Sequence, residues 1–122
     1  MAPELFQGQA KSLQSEVYAL GVIFYEWLSG QRLQATDYLD WAFLHCQRLK
    51  VELPQHLQAF QGLLEEMLSK QKQHRLADFQ AVKDYLMTEI EWEKYNKTWI
   101  VSYLIKRVFF YDKRLVSWKW SL

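Results

Sequence analysis

The stretch between Ser15 and Gly30 is almost wholly apolar, and its apolar residues cover every face of a helix. They are Val17, Leu20, Val22, Ile23, Phe24, Trp27 and Leu28. Ser15 can cap a helix that starts at Glu16, and Gly30 can end it in a left-handed conformation. A helix that is apolar all round must be surrounded by protein. We therefore predict that residues 16–29 form a central core helix, with later helices packed about it.

Three later segments repeat their apolar residues at helical spacing. Thr36 and Asp37 suit the start of the second helix, Pro54 suits the first turn of the third, and the fourth runs from about Ala77 to about Tyr95. The predicted inward residues are Leu39, Ala42, Phe43 and Cys46 in the second; Leu57, Phe60, Leu64, Met67 and Leu68 in the third; and Phe79, Val82, Leu86 and Ile90 in the fourth. The pattern predicts an all-α fold.

Charge divides the chain near residue 93. Residues 94–122 carry a net charge of +6 and three of the six tryptophans, whereas residues 1–93 carry −5. We therefore predict a helical part, 1–93, and a basic, aromatic-rich extension, 94–122. The extension is open to two interpretations: its β-branched and aromatic residues favour strands, but Ile100, Leu104 and Val108 also fit one helical face. It can lie on a membrane surface or cover the acidic body.

Three short motifs resemble the later part of a eukaryotic-like, Hanks-type serine/threonine protein kinase domain. They are "APE" (Ala2, Pro3, Glu4), "SEVYALGVIFYEWLSG", which contains Glu16 and Gly21, and "LLEEMLSKQKQHR", which ends at Arg75. Their order matches the end of the activation segment, the central helix of the large lobe and the Arg before its last helix. The resemblance covers about residues 1–88. Since Met often precedes "APE" in the family, it implies that Met1 is an internal Met and the chain a fragment or a truncated gene product.

The resemblance also assigns structural roles to two acids. The family pairs the positions of Glu4 and Arg75, and a guanidinium can satisfy both oxygens of a buried carboxylate; the alternative is two solvated surface charges. The family usually has Asp at the position of Glu16, where it holds the backbone of the catalytic loop. The plain alternative for Glu16 is a first-turn acid that interacts with the helix dipole.

The functional expectation follows from motifs that the sequence does not contain. Phosphoryl transfer in this family needs a Gly-rich loop, a strand Lys, and the catalytic and metal-binding Asp of "HRD" and "DFG". None occurs in the sequence. We expect a C-terminal kinase fragment that is inactive alone, so that ATP and Mg²⁺ belong only to the parent kinase and this chain has no catalytic, cofactor-binding or metal-binding residues. His45 and Cys46 do not form a nucleophile and base, because neighbours on a helix point about 100° apart.

The expected partners are the remainder of a kinase domain or another protein. In the family, the helix that matches residues 37–48 can serve as a docking surface, with Trp41 and Leu44 as the candidate contacts here; the alternative is that these two residues pack against the body of the protein. The alternative function is a non-catalytic helical module whose extension, 94–122, binds a membrane surface or a partner protein. Nucleic acid is a weaker option, because no recognisable module accompanies the basic aromatic residues. The single Cys46 suits a reducing compartment, so we expect a cytoplasmic protein, with membrane association possible through the extension.

Overall fold

A computed structural model of the chain describes residues 1–90, and every regular element in that part is helical. The α-helices are α1 (Pro3–Phe6), α2 (Leu13–Ser29), α3 (Tyr38–Phe43), α4 (Gln61–Met67) and α5 (Phe79–Thr88). A π-helical turn, Leu44–Arg48, continues α3, and 3-10 helices Gln55–Phe60 and Lys72–His74 precede α4 and α5. The all-α prediction is confirmed for residues 1–90. The extension 94–122 and the boundary at residue 93 lie outside the described residues. The predicted helix end near Tyr95 is wrong, because α5 ends at Thr88 with Glu89 as its C-cap.

Helix α2 is the hub of the described fold, as predicted, because it packs against both α4 and α5. Val17, Leu20 and Phe24 on α2 are fully buried. Burial is uneven along the helix: its second half leaves Val22, Ile23, Trp27 and Leu28 partly exposed. The apolar surface of α2 therefore meets protein on most faces, but the described residues do not enclose it completely.

The start of α2 differs from the prediction. Ser12, not Ser15, is the N-cap: its backbone is extended and its side chain accepts a hydrogen bond from the Ser15 N–H. Ser15 sits three positions later, and its hydroxyl accepts in return from the Ser12 N–H. Two serines at this spacing form a reciprocal capping box. The prediction missed this capping box because Ser15, the serine nearest the apolar run, was assigned as the cap.

Two glycines shape α2: one sets its C-terminal end, and the other allows it to pack closely against α4. Gly30 ends the helix with φ of 73°, as predicted, in the left-handed region that a side chain disfavours. Gly21 lies where α2 meets the end of α4, and a Cβ there would stand 3.0 Å from Met67 Cβ and from Leu68 Cδ2. Gly21 is thus required by close helix packing rather than by backbone conformation.

The stripe predicted for the second helix is wrong. Asp37 does cap α3, accepting from the Asp40 N–H at 2.9 Å. However, Leu39 is 77% exposed and Phe43 is 49% exposed, whereas Leu44 and His45 are buried. The chain passes from α-helix into the π-helical turn at Leu44, and the added residue in that turn moves the inward face away from the predicted i, i+3, i+4 positions.

The inward residues of the third and fourth predicted helices are confirmed. Leu57, Phe60, Leu64, Met67 and Leu68 are buried, as are Phe79, Val82, Leu86 and Ile90. The starts of these two helices differ from the prediction. Pro54 precedes a 3-10 turn, and α5 begins at Phe79 rather than near Ala77. Asp78 caps α5 by accepting a hydrogen bond from the Ala81 N–H at 2.9 Å. These faces close the core under α2.

Candidate functional site

A buried ion pair joins the first turn of the chain to the loop before α5. Arg75 Nη1 lies 2.8 Å from Glu4 Oε2, and Arg75 Nη2 lies 2.9 Å from Glu4 Oε1. The exposed fractions of Glu4 and Arg75 are 4% and 6%. The predicted Glu4–Arg75 pair is therefore present, in the bidentate geometry that gives carboxylate–guanidinium pairs their strength. The alternative of two solvated charges is wrong.

Every N–H of the Arg75 guanidinium has an acceptor. Besides the two bonds to Glu4, Nη1 donates to the Gln14 carbonyl at 2.9 Å, while Nε and Nη2 donate to the Ser69 carbonyl at 3.1 and 2.9 Å. A guanidinium has five N–H donors, and five hydrogen bonds are made. Arg75 therefore ties α1, the start of α2 and the end of α4 to one point.

The carboxylate of Glu4 is held in its ionised form. Burial by itself would raise its pKa, but hydrogen bonds from Arg75 and from the Ser15 hydroxyl, together with the Arg75 charge, lower the pKa to about 2. The Ser15 hydroxyl donates to Glu4 Oε2 at 2.8 Å. Ser15, predicted as a helix cap, instead links the capping box of α2 to the ion pair.

Tyr18 and His45 extend this cluster, and sequence reasoning assigned neither of them a role. The Arg75 guanidinium lies over the Tyr18 ring, with 5.0 Å from Cζ to the ring centroid, and the Tyr18 hydroxyl lies 2.9 Å from His45 Nδ1. Burial lowers the pKa of His45 to about 4 and raises the pKa of Tyr18. The sequence carried one indication of this contact: the hydroxyl of a tyrosine within an apolar helix needs a hydrogen-bond partner.

The remaining residues of the predicted motif occupy separate places around this cluster. Ala2 and Pro3 are buried, and Pro3 takes the first position of α1. Glu16 lies in the first turn of α2, in agreement with its plain interpretation, and its Oε1 is 2.6 Å from Lys11 Nζ. Glu4 and Arg75 are in contact, whereas Glu16 and Gly21 face other neighbours. The motif is thus a framework and not a convergent chemical site.

His45 and Cys46 serve different neighbours, as expected from their adjacent positions. While His45 meets Tyr18, Cys46 Sγ lies 3.8 Å from the Pro3 carbonyl oxygen. Their order along the chain therefore does not create a nucleophile–base pair.

Lys70, just after α4, is the one cation of this region whose ammonium is buried without a hydrogen-bond partner among residues 1–90. Burial, assisted by the nearby Arg75 charge, lowers its pKa to about 8. A buried ammonium without an acceptor costs stability.

An open pocket lies beside this cluster, between α1, α2 and α3. Its volume is about 390 Å³, and its walls include the rings of Phe6, Tyr38, Trp41 and His45. Glu26 supplies the carboxylate at this pocket. Of the two docking contacts predicted on residues 37–48, Trp41 lines the pocket, but Leu44 is buried and cannot be an exposed contact. The exposed apolar residues of α3 are Tyr38, Leu39 and Phe43.

Residues 1–90 contain no group of three or more His, Cys, Asp and Glu side chains that could hold a metal ion. In the same part of the chain, no helix has the length and apolar character needed to cross a bilayer. Comparison of the chain with protein-family models, with curated proteins and with solved structures found no match.

Proposed function

We propose that residues 1–90 are the later part of the large lobe of a serine/threonine protein kinase domain, and that this part transfers no phosphoryl group by itself. The observation that carries the proposal is the Glu4–Arg75 pair. Its two members are 71 positions apart, yet they form a buried bidentate contact. The order of elements agrees: a short turn with Glu4, a core helix, and an Arg directly before the last described helix.

The contact supports the proposal more strongly than the motif letters do. A short motif such as "APE" can occur by chance, and a Glu without a partner is seldom fully buried. Here Glu4 is 4% exposed, and its partner is the Arg that the family resemblance selects. Motif and three-dimensional contact therefore agree, although the contact was not used to find the motif.

A chimaera tests this proposal. In an active bacterial serine/threonine kinase, the segment from "APE" to the end of the last large-lobe helix is replaced by residues 1–90 of this chain. If the segments are equivalent, the chimaera folds, binds Mg·ATP and phosphorylates serine in a peptide substrate. Circular dichroism, calorimetry and phosphate incorporation measure these three properties in turn. A folded chimaera that binds Mg·ATP but transfers no phosphate, even with Glu16→Asp, would contradict the proposal.

The Glu16→Asp variant addresses the one departure from the family pattern. Because Asp is one methylene shorter, it should restore the spacing to the catalytic loop and raise the activity of the chimaera. Glu66→Asp is the matched control, since Glu66 is exposed on α4 and the same change there should leave activity unaltered. For the isolated chain, calorimetry with Mg·ATP should detect no binding, and micromolar affinity would overturn the non-catalytic part of the proposal.

A second candidate function is a helical interaction module, favoured by the exposed apolar residues Tyr38, Leu39 and Phe43 on α3 and by the charge of the extension. The module would bind a membrane surface or a partner protein through residues 94–122. Co-sedimentation with anionic liposomes, using the chain with and without 94–122, tests the membrane form. Binding that needs the extension and weakens with salt supports it, whereas equal sedimentation of both chains contradicts it.

A further inference from the structure

The pocket beside α3 has an aromatic lining that the kinase resemblance does not use. The Phe6 and Tyr38 rings meet at a corner, with centroids 5.4 Å apart and planes inclined by 55°. Trp41 lies parallel to His45 within 15° at 5.9 Å, and Phe6 lies parallel to His45 within 20° at 5.9 Å. His45 therefore stacks with both Phe6 and Trp41, so that the rings of the pocket form one continuous surface.

This aromatic surface is accompanied by one carboxylate. Glu26 lines the pocket, and its Oε2 accepts a hydrogen bond from the Leu33 N–H at 2.9 Å, which fixes the position of the side chain. His45 adds no charge near neutral pH, because burial lowers its pKa to about 4. The Met1 α-amino group lies 3.5 Å from His45 Nε2, and burial lowers its pKa below the ordinary value of 8.0. Glu26 therefore supplies the one carboxylate among the described residues that line the pocket.

We propose that the pocket bounded by the rings of Phe6, Tyr38 and Trp41 binds a quaternary ammonium group. Aromatic faces carry negative potential and attract cations, most strongly when the cation loses its water. A methylated ammonium is weakly hydrated and has no N–H to satisfy, so a wall of rings can replace its water shell. A primary ammonium needs hydrogen-bond acceptors that the rings do not provide. The carboxylate of Glu26 adds attraction at the same place.

The size of the pocket agrees with such a ligand. A volume of about 390 Å³ is within the range of small-molecule sites and accommodates a trimethylammonium group together with the chain that carries it. The site is independent of the proposed kinase ancestry, since its residues need only the packing of α1, α2 and α3. The chimaera and the binding experiment below can therefore fail separately.

Choline and its uncharged isostere, 3,3-dimethylbutan-1-ol, provide the first test. Both are titrated into the full chain at pH 8, and the indole and aromatic signals of the protein are followed by NMR. The shapes of the two probes are the same, so a difference in affinity reports the charge. We expect choline to bind at least about fivefold more tightly. Equal affinity, or no saturable change with choline, would overturn the proposal.

Variants connect the binding to the pocket. Glu26→Gln removes the charge but keeps an oxygen that can accept from the Leu33 N–H, and Trp41→Leu removes one ring face. Each should weaken choline binding by about fivefold or more. Phe43→Leu is the matched control: Phe43 is on the same helix and half exposed, but it does not line the pocket, so choline affinity should be unchanged. Urea unfolding of each variant shows whether the fold is retained, and an unaltered affinity in both folded pocket variants would contradict the proposal.

Two further titrations identify the source of the group. A short peptide with one trimethyllysine is compared with the same peptide carrying unmodified lysine or arginine in its place. Tighter binding of the trimethyllysine peptide than of choline indicates a methylated protein as the ligand, and tighter binding of choline indicates a choline-containing compound. If the arginine peptide binds as tightly as the trimethyllysine peptide, the pocket recognises positive charge in general and the proposal is wrong.

Discussion

Two regions of the molecule place polar and apolar groups in opposite ways. One is the contact between Glu4 and Arg75, and the other is the segment formed by residues 38–48. Around Arg75 the charges are buried, and all five guanidinium N–H groups have acceptors. In residues 38–48 the situation is reversed: Leu39 and Phe43 are exposed, whereas His45 is buried. One region is a structural junction held by polar contacts, and the other presents apolar side chains outward.

The difference separates groups that hold the fold from groups that are available to a ligand. The Arg75 guanidinium has no N–H group left for another partner. By contrast, the free energy decreases when a ligand or partner covers exposed aromatic and aliphatic side chains. The region of Arg75 should therefore determine stability, and residues 38–48 should determine binding.

The largest expected effect comes from Arg75→Ala. The substitution leaves Glu4 buried without its cation, and loss of one partner from a buried pair costs roughly 3–5 kcal/mol in the free energy of unfolding. The urea midpoint measured by circular dichroism should fall accordingly. Arg75→Lys should cost less, because the ammonium keeps the charge but loses the bidentate geometry.

The control for Arg75 is an ion pair at the surface. Arg48 Nη1 lies 3.5 Å from Asp40 Oδ1, and both side chains are substantially exposed. Arg48→Ala should change stability by no more than about 1 kcal/mol. Similar midpoints for Arg48→Ala and Arg75→Ala would remove the distinction between the two regions.

Sequence reasoning succeeded where one physical requirement dominated. The apolar run of α2 and the inward faces of α4 and α5 follow from burial alone. The need to neutralise a buried acid predicts a cationic partner for Glu4, and the family resemblance identified that partner as Arg75. It failed on residues 38–48 because the π-helical turn changes the period, so that a regular stripe no longer predicts the inward face. It missed the pocket because Phe6, Glu26 and Trp41 are distant in the chain and share no spacing rule.

The same substitution in each region sharpens the comparison. Leu20 on α2 is fully buried, whereas Leu39 on α3 is 77% exposed. Leu20→Ala should lower the free energy of unfolding by roughly 2–5 kcal/mol, because it leaves a cavity in the core. Leu39→Ala should change it by about 0.5 kcal/mol or less. Urea titrations of both variants give the comparison, and a loss at Leu39 as large as that at Leu20 would show that α3 belongs to the core.

Acid should loosen the connection between the two regions at His45. Its pKa is about 4 in the folded chain because of burial, against 6.5 ordinarily, so the unfolded chain binds more protons between these values. The free energy of unfolding should therefore decrease as pH falls from about 6.5 to 4, by roughly 2–3 kcal/mol. Below about pH 4.5, Glu4 adds a further loss, because its pKa is also lower in the folded chain.

A histidine pair separates the contribution of His45 from the rest. His45→Gln should remove most of the pH dependence between 6.5 and 5, while His56→Gln should preserve it, because His56 is exposed. Stability is measured by urea unfolding at each pH. An identical pH profile for the original chain and His45→Gln would mean that the folded chain does not disfavour the imidazolium.

The smallest effect should be a gain in stability at Lys70, where the polar region is incompletely satisfied. Its ammonium is buried without a hydrogen-bond partner among residues 1–90, and burial lowers its pKa to about 8. Lys70→Met keeps the length of the side chain and removes the charge, so it should raise the free energy of unfolding at pH 7 by about 1 kcal/mol. Between pH 8 and 9.5 the original chain should gain stability as Lys70 loses its proton, and Lys70→Met should not.

The exposed Lys50 provides the control: Lys50→Met should leave both the stability at pH 7 and its alkaline rise unchanged. A loss of stability in Lys70→Met at pH 7 would mean that the ammonium makes a favourable contact, and the region around Arg75 would then hold a second cation that contributes to the fold.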